Sequence, residues 1–277
     1  MLEPSATVAP ILSLKKFSQG HLFPQIRAFT DRFPDQVPPP FTPAEIPLRL
    51  QVTAQGLGYY SAIALKLSAL LARSPAAIFP DLSATLSVPP CSPKVLSRPL
   101  TPLPGWGLAW QWEYGQLGPW LIGLNSPLTS FPQSFSPTIT APVPWGFVQY
   151  AQLRCTAMVR LLSDQSCAQR PEMMDYPVDW PGPLRSLLSR FVSTLDDWET
   201  RPGVKLATLA LALSEAILTF EAQAWLYRQS TTPAGLLVWQ TVLLQNCQTL
   251  LGIWLAQARN QGQADRGTLL NAQNILK

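Results

Sequence analysis

The chain divides by the rhythm of its apolar positions. From Trp145 onward they recur every three or four residues over long stretches. Val148, Ala151, Cys155, Met158 and Leu162 form one such series, the period of an amphipathic helix with a buried face. The spacing predicts helices over roughly 146–163, 181–197, 203–227 and 234–259, with Pro or Gly at most boundaries. Such a run of long helices is expected to form an antiparallel bundle of four or more. The first 125 residues have a shorter rhythm. A helix is expected over 13–33, a strand over 46–55 ended by Gly56 and Gly58, and a helix over 59–72. Another helix is expected over 74–86, where Ser74 and Pro75 supply a cap and a first-turn proline. The aromatic-rich runs "GWGLAWQWEYG" (105–115) and "PWLIGLN" (119–125), bounded by Gly and Pro, read as strands.

Proline marks the boundaries between these blocks. "PDQVPPPFTP" (34–43) and "SVPPCSPKVLSRPLTPLP" (87–104) cannot continue a helix or lie in a central strand, so they read as connectors. "SPLTSFPQSFSPTITAPVP" (126–144) is polar, proline-rich and weakly periodic, as a domain linker would be. The expected organisation is an α+β N-terminal domain over 1–125, a linker over 126–144 and an all-α helical bundle over 145–277. No internal repeat and no block of like charge interrupts it.

One apolar run raises the question of a membrane. Residues 229–258 carry no charged side chain, and "LLVWQTVLLQNCQTLLGIWLA" (236–256) is about as long as a bilayer span. Thr241, Gln245, Gln248 and Thr249, however, form a polar stripe opposite Leu243, Leu244, Cys247, Leu250, Leu251 and Trp254. That pattern predicts an amphipathic helix packed on a protein core, and no membrane span. The N-terminus carries Glu3 and two prolines without a long apolar stretch, so no signal peptide is expected.

Composition narrows the function classes. Apolar residues make up 47% of the chain, enough for a core, and charged residues only 13%, about half the usual share. The net charge of +4 is weakly basic and unevenly spread. Residues 1–140 hold nine Lys and Arg against six Asp and Glu, a net of +3, whereas residues 141–277 hold eleven against ten, a net of +1. The four cysteines, Cys91, Cys155, Cys167 and Cys247, form no CxxC pair, and His21 is the single histidine. No zinc pattern follows, and buried reduced thiols in a reducing compartment are expected. Asp196 and Asp197 are adjacent, so on a helix their side chains diverge; a solvated face or helix end is expected of them, not acid–base work.

Several stretches resemble a known family. "VQYAQLR" (148–154) resembles the Val-Gln-Tyr-Ala-His-Ala-Arg start of the C-terminal tRNA-binding domain of arginyl-tRNA synthetases, with Gln152 in place of the histidine. "PLRSLLSRF" (183–191), "KLATLALALSEAILTFEAQAWLY" (205–227) and "LVWQTVLLQNCQTLLGIWL" (237–255) are similar to its later helices, in order. "GYYSAIALKLSALLARSPAAIFPDL" (58–82) and "PGWGLAWQW" (104–112) look like the family's N-terminal accessory domain, with Tyr59 where an acidic residue is usual. Between the two regions the family carries a Rossmann-type catalytic domain with a His-Ile-Gly-His-type signature. Here only 126–144 stands in that place, and His21 lies in "GHLF".

The resemblance implies an anticodon-binding-like (DALR-type) bundle, a partner that is tRNA or structured RNA, no catalysis and no cofactor, in the cytoplasm. The candidate RNA-binding residues are Gln149, Tyr150, Gln152, Arg154 and Arg160 on the first bundle helix, with Trp110 and Trp112 as base-stacking candidates beside Trp106 and Tyr114. Arg154, Arg160, Arg185 and Arg190 can form a modest basic patch. Tyr150 can equally pack at the helix start while Arg154 pairs with a carboxylate of the bundle. A different class is also expected to be viable: a repurposed adaptor that binds protein, since a neutral, tryptophan-rich surface suits an interface. No small-molecule substrate and no metal are expected.

Overall fold

The structure, a computed structural model, describes residues 12–33, 41–86, 101–103, 106–124, 128, 145–166, 180–201, 205–227 and 234–260. Among them the chain is mostly helical with a small antiparallel sheet. Apart from Leu128, which is buried, the 126–144 segment lies outside the described residues, as do Cys91, Cys167 and the tail after Asn260.

The N-terminal region opens with α1 (Leu14–Thr30), where the Ser13 side chain accepts a hydrogen bond from the Lys16 amide and caps the helix. A single 3-10 turn, Pro43–Glu45, precedes strands β1 (Leu48–Val52) and β2 (Gly56–Ser61). Helices α2 (Ile63–Leu70) and α3 (Pro75–Thr85) follow, the latter capped by Ser74 onto the Ala77 amide. Strands β3 (Thr101–Leu103) and β4 (Gly107–Glu113) complete the sheet, whose order is β1-β2-β4-β3 and whose pairs are all antiparallel. The sheet turns Leu57, Tyr59, Leu108, Trp110 and Trp112 into the core and leaves Arg49, Gln51 and Gln111 exposed.

Two expectations for this region are corrected. Gly56 and Gly58 do not end a strand; they begin β2, the strand between β1 and β4. A Cβ on Gly58 would stand 1.9 Å from the Trp110 carbonyl oxygen, so the glycine permits close strand approach, and Tyr59 and Tyr60 are strand residues, with the helix starting at Ile63. Likewise "PWLIGLN" is no strand. It is the second half of α4 (Tyr114–Gly123), which Glu113 and Gln116 start with a capping box. Tyr114, Leu117, Trp120, Leu121 and Leu124 recur at helical spacing and are buried; reading the run from Pro119 conceals that period.

The bundle consists of α5 (Trp145–Ser166), α6 (Gly182–Thr200), α7 (Leu206–Tyr227) and α8 (Ala234–Asn260), matching the expected helices. α5 packs chiefly on α8 and α6 on α7. The first pair is antiparallel: the Cys155 thiol donates to the Leu244 carbonyl at 3.1 Å, while Gln152 lies against Gly252. The expected inner face of α5 is buried throughout.

α8 is more enclosed than its pattern suggests. The expected apolar side is fully buried, but so is Thr241, and Gln245, Gln248 and Thr249 are half-buried. The hydroxyls of Thr241 and Thr249 turn back onto the carbonyls of Leu237 and Gln245, which satisfies them without solvent. By length and composition one described helix, over Leu206–Gln223, is apolar enough to cross a membrane; 44% of that window is buried inside the protein.

One apolar core runs through both regions, and specific hydrogen bonds cross between them. Asn246, completely buried on α8, donates to the Leu121 carbonyl of α4 at 2.8 Å. Trp120 of α4 packs on Phe191 of α6, and Tyr114 stacks on Trp180 at 5.0 Å between ring centres. The tightest junction is at Asp196 of α6. Its carboxyl accepts from the Ser13 hydroxyl (2.8 Å), the Lys15 amide (3.0 Å) and the Tyr59 hydroxyl (2.5 Å).

Candidate anion-binding cleft

Helix α6 has two contrasting faces. Leu184, Leu187, Leu188, Phe191, Val192 and Leu195 are buried against the rest of the molecule. The outer stripe is Gly182, Arg185, Ser186, Ser189, Arg190 and Ser193, at i, i+3, i+4, i+7, i+8 and i+11, so all six lie along one side. Four of them are glycine or serine, and short side chains leave space that Lys or Glu would fill. Val52, Thr53 and Ala54 of the β1–β2 turn stand opposite, and the two walls enclose a cleft of about 620 Å³.

The cleft is built for negative charge. Two arginines line it, and among the described residues no Asp or Glu does. Arg185 is steadied by the Thr53 carbonyl at 3.4 Å, which also accepts from the Tyr114 hydroxyl at 2.7 Å. Burial pushes the Tyr114 phenol up, against the opposing pull of Arg185. Arg190 is exposed and forms no ion pair among the described residues. α6 begins at the same cleft, and the unpaired amides of its first turn add partial positive charge. Guanidinium forks beside serine hydroxyls suit the oxygens of a phosphate.

The residues singled out on α5 stand differently. Arg154 is half-buried and engaged: its Nε donates to Glu221 of α7 at 3.1 Å and its Nη2 makes a second, shorter bond to the same carboxylate. That bidentate pair holds the guanidinium charged, its pKa raised by the Glu221 hydrogen bonds. Gln152 is half-buried and its amide nitrogen would stand 2.9 Å from a Cβ on Gly252, so it fills the α5–α8 seam. Gln149 and Tyr150 are half-buried, with Gln149 Oε1 enclosed and without a hydrogen bond, and Arg160 is exposed.

On the sheet, Trp110 and Trp112 are core residues at 4% and 1% exposure, packed on Tyr59 at ring-centre distances of 5.9 and 6.0 Å. A base stacking on either would have to displace it from the core. Tyr114 is buried as well, whereas Trp106 is 39% exposed and edge-on to Phe79.

The adjacent acids part as expected, but to different surroundings. Asp197 pairs with Arg201 at 3.0 Å on the surface. Asp196, for which a solvated place was expected, is buried, and burial holds its carboxyl above the usual range against the pull of its three hydrogen bonds. Its partner Tyr59 is pushed far up by the same burial. This is a structural junction and lies away from the cleft lining. His21 is half-buried on α1 with Nε2 enclosed and unbonded, and burial lowers its pKa, which keeps it neutral. Cys155 and Cys247 are free, buried thiols; burial pushes Cys155 up to about 12 and Cys247 up as well, so both are unreactive. Among the described residues no group of three His, Cys, Asp or Glu is placed to hold a metal.

Comparison with protein-family models, with curated proteins and with solved structures returns no match for this chain. Of the arginines noted in the sequence, only Arg185 and Arg190 line the cleft. Ser186, Ser189 and Ser193 are not marked by residue type in the sequence, although their spacing with the arginines is visible once α6 is placed. Thr53 could not be found that way, since it is brought to α6 by the tertiary fold.

Proposed function

We propose that this chain binds structured RNA, transfer RNA in the first instance, without catalysing a reaction on it, and that its bundle is of the anticodon-binding-like (DALR) type. The observation that carries the reading is the cleft that sets Arg185 and Arg190 beside the α6 serines, with no Asp or Glu among its described lining residues. Neutralising phosphates releases counterions, so even a chain of net charge +4 gains affinity where its cations are segregated from its acids. The acids of α6 are gathered at its other end, at Asp196, Asp197 and Glu199. The motif order from Val148 to Leu255 supports the choice of tRNA. A reducing, cytoplasmic setting suits the free thiols of Cys155 and Cys247.

One observation favours the adaptor reading. Leu153, Ala157 and Leu161 recur at i, i+4 and i+8 on the outer side of α5, and the two leucines are 41% and 48% exposed. A protein partner would use that stripe and leave the cleft free.

The test is an anisotropy titration of the full chain with arginine tRNA, an unrelated tRNA and an unstructured RNA, at about 50 and about 200 mM salt. Saturable binding that prefers tRNA and weakens steeply with salt is expected. No binding at the lower salt would refute the RNA reading and leave the α5 stripe as the surface to pursue.

A further inference from the structure

Beside the cleft lies a second, smaller depression between α6 and α7, of about 260 Å³. Ser186 and Arg190 line both, so the two hollows meet across α6. The α7 wall is Ala212, Glu215, Ala216, Thr219, Phe220 and Gln223, at the same i, i+3, i+4, i+7, i+8, i+11 spacing as the α6 stripe. The chemistry changes from one hollow to the next. On the β1–β2 side the lining is cationic and hydroxylic. On the α7 side small alanines and the buried Leu187 and Phe220 make an apolar floor. Glu215, Thr219 and Gln223 stand exposed along its rim.

We propose that this second hollow receives the base of an unpaired nucleotide whose phosphate lies against Arg185 and Arg190, and that Glu215 selects guanine. The proposal rests on the RNA reading above and adds which feature of the RNA is read. At about 260 Å³ the hollow falls below the usual 300–1,000 Å³ of pockets for drug-sized ligands, and is suited to one planar ring system. The phosphate end is fixed by charge, because Arg190 borders both hollows. The base end is fixed by hydrogen-bonding type. An ionised carboxylate only accepts, and guanine alone among the bases offers it two adjacent donors, N1–H and N2–H. Thr219 lies one helical turn beyond Glu215, about 6 Å along the axis, and Gln223 a turn further. Hydroxyl and amide donors there meet the neighbouring guanine O6. Uracil and cytosine present an acceptor where guanine presents its second donor, and adenine presents a single amino group, so each leaves one carboxylate oxygen without a partner.

The experiment uses the full chain and short labelled oligonucleotides, read by anisotropy at low salt: a uridine hexamer, and the same hexamer with one central guanine, adenine or cytosine. The guanine hexamer is expected to bind about tenfold more tightly than the other three. Glu215→Gln should remove that preference, so that the guanine hexamer binds no more tightly than the uridine hexamer, and Arg190→Ala should weaken all four alike. Equal affinity for the four hexamers overturns the proposal and leaves RNA binding standing, as does tRNA binding with no hexamer binding. A Glu215→Gln variant that keeps the guanine preference, binding every hexamer more tightly by the same factor, also overturns it, because Glu215 would then act only by repelling phosphate. If neither tRNA nor any hexamer binds, both readings fall. Glu215 is exposed, so folding of the variant is checked by circular dichroism and is expected to match the parent.

Discussion

Helices α5 and α6 are both amphipathic, both packed on the same core and both carry arginines on the outer side, yet their arginines have different circumstances. On α5, Arg154 meets Glu221 in a two-pronged bond and its charge is spent inside the protein. On α6, Arg185 and Arg190 meet serines, a glycine and a turn, and no carboxylate lines their cleft among the described residues. The lesson is that an arginine's availability to a partner is decided by what the next helix places opposite it. α7 places Glu221 opposite α5, and the β1–β2 turn places Val52, Thr53 and Ala54 opposite α6.

The comparison can be broken first at the buried side of α6. Phe191 is completely buried against Trp120, so Phe191→Ala should cost about 3–5 kcal/mol by leaving a cavity, measured by urea unfolding, whereas Ser189→Ala on the outer face should change stability little. If the two cost the same, α6 does not have the two faces described.

Asp196 comes next. Asp196→Ala leaves the Tyr59 and Ser13 hydroxyls without their buried acceptor and should cost about 2–4 kcal/mol. Its pH dependence has a definite sign. The folded carboxyl is raised above its ordinary 3.8, so the folded state holds the proton longer than the unfolded chain does. Its contribution to stability is full below about pH 3.8, is lost as pH rises through the raised folded value, and is level above it. Asp196→Asn cannot ionise and should lose this dependence. Urea midpoints of parent and variant at several pH values between 4 and 8 that run parallel would contradict it.

Smaller effects sharpen the contrast between the two arginine sites. Replacing both Arg185 and Arg190 by alanine should weaken tRNA binding about tenfold at low salt and lower the salt slope by about 2, one unit per lost phosphate contact, with little change in stability. Arg154→Ala should do the reverse, costing about 0.5–1 kcal/mol of stability from a pair that is 39% and 22% exposed. Its tRNA affinity should be nearly that of the parent.

Much of this arrangement was legible in the sequence, and the losses have physical causes. The inner face of α5 and the extents of α6, α7 and α8 follow from a period of 3.6 sustained over many residues. In the sequence α4 reads as a strand because Trp120, Leu121, Ile122 and Leu124 are dense enough to hide their period, and the start of β2 reads as a strand end because Gly58 answers to the Trp110 backbone across the sheet. At the site, Arg185 and Arg190 were visible as cations. What separates them from Arg154 was not: Glu221 lies 67 residues from Arg154 and Thr53 lies 132 from Arg185, contacts that exist only after folding.

The central claim, that the cleft on α6 and not the arginine of α5 meets RNA, is tested most directly by the salt dependence of tRNA binding for the parent, Arg190→Ala and Arg154→Ala side by side. The account predicts that Arg190→Ala binds more weakly with a slope shallower by about 1, while Arg154→Ala keeps the parent slope. A shallower slope for Arg154→Ala with an unchanged one for Arg190→Ala would contradict it and return the interface to α5.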